Sequence, residues 1–142
     1  MCKIGIIGNG FVGSAISYGF SLYVDEIKIY DTDPRRSTHS LEELADDCGV
    51  IFICVPTPMF ESGECDLSIV HSVVGELSMY NNIKNSIIVI KSTVVPGTLE
   101  SLVQKYPNLN FVFNPEFLTE RAAKLDFINT ARIVIGSNKS EN

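Results

Sequence analysis

No apolar run in the 142 residues approaches the roughly 20 needed to span a bilayer, which excludes a helical membrane protein. The opening Met1-Cys2-Lys3-Ile4 leads straight into a strand pattern without the architecture of a secretory leader, so the expected location is the cytoplasm. Basic residues are the minority, 11 against 17 acidic, and the net charge of −6 repels phosphate backbones. Nucleic acid and anionic membrane are thereby excluded as main partners, while a small anionic ligand held by local donors is not. Cys2, Cys48, Cys54 and Cys65 show neither a CxxC nor a Cys/His ligand spacing, and His39 and His71 stand in polar or amphipathic surroundings without ligand partners, so no metal site is expected. A catalytic cysteine needs a neighbouring base or an electropositive setting; none is evident, and the four are read as reduced thiols. There is no internal repeat and no low-complexity tract.

What is present is an alternation of short β-branched apolar runs with helical patterns. Strands are expected at residues 3–8, 26–31, 50–55, 86–91, 110–114 and 132–136, and helices at 11–22, 40–47, 67–80, 97–106 and 119–126. Several of the strands are apolar on consecutive residues, as suits a parallel sheet covered on both faces. Right-handed crossovers then predict an α/β, doubly wound, Rossmann-like sheet of about six strands in the order 3-2-1-4-5-6. The length suits a single domain, residues 1–137, burying roughly two-thirds of its unfolded surface. Residues 138–142 form a polar tail or a linker cut short.

Gly8-Asn9-Gly10-Phe11-Val12-Gly13 follows an apolar strand and opens a helix, the context that lifts this glycine spacing above chance. Gly8 suits a tight turn, Gly10 a close approach of the backbone to a pyrophosphate, and Gly13 close packing of helix on strand. Asp31 ends the second strand, where a carboxylate can accept both ribose hydroxyls of an adenosine, which favours NAD over NADP. Arg35 and Arg36 follow closely, placed either to meet a 2′-phosphate or to flank the adenine.

Ligands of open α/β sheets sit beyond the carboxyl ends of the strands, and here those loops are rich in hydroxyls and carboxylates. Thr57 and Thr93 are candidates to hydrogen-bond the cofactor or hold a water, and Glu116 and Glu120 to transfer a proton or orient that water. A helix starting near Pro115 would put both carboxylates on one face. Lys91, at a strand end, reads as a solvated charge.

Three blocks carry a resemblance: residues 8–13; Cys54-Val55-Pro56-Thr57-Pro58 leading to Asp66-Leu67-Ser68; and Lys91-Ser92-Thr93-Val94-Val95-Pro96-Gly97-Thr98 followed by residues 114–120 with Ala123 and Asp126. Together they resemble the N-terminal, NAD-binding domain of the UDP-glucose/GDP-mannose dehydrogenase family. The first block is generic and the other two are specific. Such enzymes oxidise the C6 alcohol of a nucleotide sugar to a carboxylate, with two hydride transfers to two NAD, holding the intermediate on a cysteine of a second domain. The resemblance implies NAD contacts from Gly8, Asn9, Gly10, Phe11, Val12, Gly13, Asp31, Arg36, Val55, Pro56, Thr57, Thr93 and Glu120. It implies water or proton handling by Thr93, Glu116 and Glu120, and substrate contacts from Glu116, Phe117 and Leu118.

Two departures stand out. Only eighteen residues separate Asp31 from Val50, where family members carry a longer insertion with extra helical structure. The long central helix used for homodimerisation and the second domain with its Gly-x-x-Cys nucleophile, lysine and aspartate are not among these 142 residues, so the chain alone is expected to bind NAD without completing the reaction. A β-hydroxyacid-type dehydrogenase shares the short connection and the cofactor half, but is not expected to carry Pro56-Thr57-Pro58 or the 114–120 block. A stand-alone NAD-binding or regulatory module is the alternative from a different class.

Overall fold

Five parallel strands, β1 (Lys3–Ile7), β2 (Glu26–Tyr30), β3 (Val50–Ile53), β4 (Ile87–Ile90) and β5 (Asn110–Phe113), make one sheet in the order β2-β1-β3-β4-β5. The computed structural model describes residues 2–137, so the polar tail expected at 138–142 lies outside the described residues. Five α-helices connect and follow the strands: α1 (Phe11–Phe20), α2 (Leu41–Asp47), α3 (Ser68–Leu77), α4 (Thr98–Lys105) and α5 (Ala123–Asn129). On one sheet face Ile7, Ile51, Ile53, Ile88 and Ile90 pack with Leu44, Val70, Val74, Leu77 and Leu102 from α2, α3 and α4. On the other, α1 and α5 meet closely, and Phe20 lies between the rings of Phe52 and Phe127, with centroids 5.8 and 5.7 Å away. The doubly wound α/β architecture follows from these two covered faces.

The expected strand order is corrected: β3 lies beside β1 instead of beyond β2. Burial explains the choice. Val50-Ile51-Phe52-Ile53 is apolar on consecutive residues, and between β1 and β4 both Ile51 and Ile53 reach 0 % exposure. Glu26-Ile27-Lys28-Ile29-Tyr30 alternates, with only Lys28 buried, which fits an edge strand. The sixth strand is also corrected. Residues 132–136 contribute only an antiparallel bridge between Gly136 and Phe113, leaving Ile133 and Ile135 67–71 % exposed. Arg132 is drawn over the Phe117 ring, 5.0 Å from its centroid, and Val134 O accepts from Asn114 Nδ2 at 2.8 Å, so this segment is fastened at the end of β5 by side chains and one bridge instead of by a strand ladder.

Strand ends are level on the carboxyl side: Ile7 pairs with Tyr30 and Ile53, Ile53 with Ile90, and Ile90 with Phe113. The ladder continues one residue further, since the amides of Gly8, Cys54, Lys91 and Asn114 donate to Tyr30 O, Ile7 O, Ile53 O and Ile90 O at 2.7–3.1 Å. The register thus carries these four residues to one edge of the sheet, the edge at which chemistry was expected.

At the opposite, amino end an ion cluster ties β2 to α2. Lys28, 7 % exposed at its side chain, pairs with Asp47, and Lys3 bridges Glu26 at 3.1 Å. The hydrogen bond from Lys28 holds the Asp47 carboxyl below its usual range, and the same bond raises Lys28. A depressed carboxyl contributes stability above its unfolded value, near pH 4, that is lost as pH falls through the folded value. Urea unfolding across pH 2–7 should therefore show a flatter acid limb for Asp47→Asn than for the wild type.

Candidate functional site: a dinucleotide cleft and a buried ion pair at its end

The β1–α1 turn gives each motif glycine a different physical reason. Gly8 has φ +91°, and a Cβ there would meet Cys54 O at 2.8 Å. A Cβ on Gly13 would come within 2.0 Å of Gly8 O, so α1 can lie this close to its own turn only without a side chain. Gly10 differs, because its Cβ would meet nothing within 4 Å and it faces open space in a cleft. No side chain caps α1, leaving its first amides free to bind an anion.

That cleft encloses about 730 Å³ and runs from the glycine turn, Asp31, Thr32 and Arg36 at one end to Cys54, Val55, Pro56, Thr57, Lys91, Ser92, Thr93 and Glu116 at the other. Its lining thus joins the residues expected at both halves of a dinucleotide site, with Phe11, Val12 and Leu118 also in its wall. Asp31 is held in place before any ligand arrives: Asn9 N donates to Oδ2 at 2.7 Å and Asp33 N to Oδ1 at 2.8 Å. Asn9 Nδ2 donates to Arg36 O at 3.0 Å, fastening the following turn to the glycine loop. At the far end Thr57 Oγ1 donates to Thr93 O at 2.7 Å, and Ser92 Oγ to Val55 O at 2.7 Å, locking the strand-end loops together.

Lys91 is not the solvated charge its position suggested. Its side chain is 5 % exposed, with Nζ 2.8 Å from Glu116 Oε2 and 3.1 Å from Asn114 Oδ1. Glu116, 13 % exposed, also accepts from Phe117 N through Oε1 at 2.7 Å. The Oε2 contact is an ion pair without hydrogen-bond alignment, as Oε2 is buried and accepts no hydrogen bond. Lys91 and Glu116 form part of the wall of both the dinucleotide cleft and a second groove of about 780 Å³, which Phe117, Phe52, Phe127 and Arg132 also line. Reasoning from sequence missed this pair. The usable signal was a lysine ending the fully apolar Ile87-Ile88-Val89-Ile90, where any side chain at the strand end borders buried space.

Glu120 departs from expectation. Residues 114–119 are not helical; a 3-10 turn spans Glu120–Ala122 and α5 begins only at Ala123, so Glu116 and Glu120 do not share a helix face. Thr119 N and Oγ1 both donate to Asp126 Oδ2, at 2.8 and 2.6 Å, which fixes the chain in an extended entry to that turn. Glu120 is exposed and lines neither cleft, whereas Glu116 lines both. Thr93 is exposed on the cleft rim, and Phe117 and Leu118 border the second groove. Asn9 and Gly13 act from behind the cleft wall. Burial pushes the Cys54 thiol up to about 12, against the opposing effect of Lys91, which removes it as a nucleophile at neutral pH. Among the described residues no group of three or more His, Cys, Asp or Glu side chains is arranged to hold a metal, and no helix is long and apolar enough to cross a membrane.

A glycine turn under uncapped helix amides, an acid at the end of the second strand, and hydroxyls at the ends of the third and fourth define a Rossmann-type dinucleotide domain. The profile of the "UDP-glucose/GDP-mannose dehydrogenase family, NAD binding domain" matches residues 33–142. The chain belongs to this family, and NAD is the cofactor of the domain it forms. It is 43 % identical over 174 aligned residues to a UDP-glucose 6-dehydrogenase of Rickettsia felis, an alignment covering 99 % of this chain and 39 % of that protein. To the putative UDP-glucose 6-dehydrogenase YtcA of Bacillus subtilis it is 38 % identical, covering 99 % of this chain and 40 % of the relative. A solved UDP-glucose dehydrogenase from the archaeon Pyrobaculum islandicum superposes with a TM-score of 0.83 at 28 % identity, over 98 % of this chain and 41 % of that one. The chain thus spans about two-fifths of the relatives' length. The aligned stretch is 174 residues against 142 here, so the relatives carry additional residues within it.

Proposed function

We propose that this chain is the cofactor half of a nucleotide-sugar 6-dehydrogenase of the UDP-glucose/GDP-mannose type, working on the C6 alcohol of the sugar and acting in the cytoplasm within a homodimeric full-length protein. The observation that carries the reading is one cleft joining the glycine turn and Asp31 to Thr57, Thr93 and the Lys91–Glu116 pair. Bound NAD supplies the hydride acceptor. The free amides of α1 hold its phosphates, and Gly10 lets the backbone come close because no Cβ intervenes. Asp31, with each oxygen already accepting one backbone N–H, offers its remaining lone pairs to ribose hydroxyls. Thr57 and Thr93 stand at the reacting end as hydroxyl partners for the cofactor or a water.

Glu116 is the residue we assign to proton handling at that end, since its carboxylate is held from both sides and lies where the two clefts adjoin. Glu120 stays a candidate for the complete enzyme, where exposed groups of this half can meet the rest of the polypeptide. Phe117 and Leu118, on the second groove, are assigned to the sugar side.

Calorimetric titration of the purified chain tests the cofactor assignment. NAD should bind more tightly than NADP, and Asp31→Ala should weaken NAD by roughly 10–100-fold, the loss of a paired charge-assisted hydrogen bond, while leaving NADP nearly unchanged. Equal losses for the two would show that Asp31 does not read the ribose.

A further inference from the structure

The turn after β2 holds both arginines that are candidates to meet a 2′-phosphate: Arg35 is turned to Asp33, and Arg36 lines the dinucleotide cleft within ion-pair distance of the same carboxylate. Arg35 makes a fork, Nε to Asp33 Oδ1 at 3.0 Å and a terminal nitrogen to Oδ2 at 2.8 Å, while Arg36 Nε lies 3.8 Å from Oδ2. The backbone enforces this arrangement, because Arg36 N donates to Asp33 O at 2.9 Å and Arg35 N to Asp33 Oδ1 at 3.0 Å. Asn9 Nδ2 then clamps Arg36 O, so the turn cannot open without losing a bond to the glycine loop. Asp31, Asp33, Arg35 and Arg36 carry charges that cancel, and the rim of the adenosine end presents no net positive field. A ribose hydroxyl needs no such field, but a phosphate does.

We propose that Asp33 is a specificity-determining positioning residue, which keeps Arg35 and Arg36 engaged within the turn and so favours NAD over NADP at this site. It acts through the arginines and does not itself line the cleft. The inference rests on the NAD reading above. It also accounts for a chain that carries a phosphate-competent arginine pair beside an NAD-type acid. Exposed ion pairs contribute little to stability, so the arrangement can be removed without unfolding the domain.

The test is Asp33→Asn, which keeps a side-chain oxygen for the Arg35 amide and removes the charge. Titrating the whole 142-residue chain with NAD and with NADP should show NADP binding about tenfold tighter than in the wild type, with NAD affinity and thermal midpoint unchanged. Adding Arg35→Ala and Arg36→Ala to Asp33→Asn should abolish the gain, as the freed guanidinium groups are its cause. An unchanged NAD:NADP ratio in Asp33→Asn, or a gain that survives removal of both arginines, overturns the proposal while leaving NAD binding intact. A wild-type chain that binds neither dinucleotide overturns the cofactor reading and this inference with it.

Discussion

Gly10→Val and Gly13→Val, three residues apart in one motif, should fail in different ways. In the first, NAD affinity should drop by at least about a hundredfold, some 2.7 kcal/mol, while the thermal midpoint stays near that of the wild type. A Cβ at Gly10 meets nothing within 4 Å, so the fold has room for it; what it occupies is the space through which the helix amides reach a phosphate. In the second, the domain itself should be destabilised by about 3 kcal/mol or more, because a Cβ at Gly13 would stand 2.0 Å from the backbone oxygen of Gly8 and the neighbour is not a flexible side chain that can move aside. Helix and turn would have to separate, and the turn is what carries Gly8 at φ +91°. Chemical unfolding together with calorimetry on both variants separates the two roles. Destabilisation by Gly10→Val equal to that of Gly13→Val would mean the turn is kept for packing alone.

The same contrast shows what a sequence can carry. The glycine spacing, Asp31 at the end of β2 and the hydroxyl-bearing loops after β3 and β4 were all legible, because each depends on local rules: turn conformation, strand end, and helix start. The strand order was not. Which neighbour β3 chooses depends on how much apolar surface each strand offers to a whole face, and the relevant clue was the alternation of β2 against the continuous apolar run of β3. Pairing of Glu116 with Glu120 failed for a related reason: a four-residue spacing implies one face only if the residues are helical, and the Thr119–Asp126 contact holds this stretch extended. Lys91 was misread because charge suggests solvent until the acid that meets it, 25 positions later in sequence, is brought alongside by two parallel strands.

That ion pair yields the second large effect. Lys91→Met should destabilise the domain by about 3–5 kcal/mol, a large part of the roughly 5–15 kcal/mol that holds a domain of this size together. The cost arises from what remains: Glu116, 13 % exposed, keeps its bond from Phe117 N but loses the cation that Lys91 places at Oε2, and Asn114 Oδ1 loses the Lys91 donor. Glu116→Gln should be milder, since the amide can still accept from Phe117 N, although among the described residues it leaves the ammonium of Lys91 with its bond to Asn114 and no paired carboxylate. The double variant Lys91→Met/Glu116→Gln should recover a substantial part of the loss, because no uncompensated charge then stays buried. Urea unfolding of the wild type, both single variants and the double variant closes the cycle. Additive losses would mean that the two side chains are neighbours without being coupled, and that a charge at the junction of the two clefts is held by something other than its partner. A strong coupling would explain why a lysine and a glutamate occupy the floor of an apolar sheet end: each makes the other tolerable, and together they keep a carboxylate at the reacting end of the cofactor cleft.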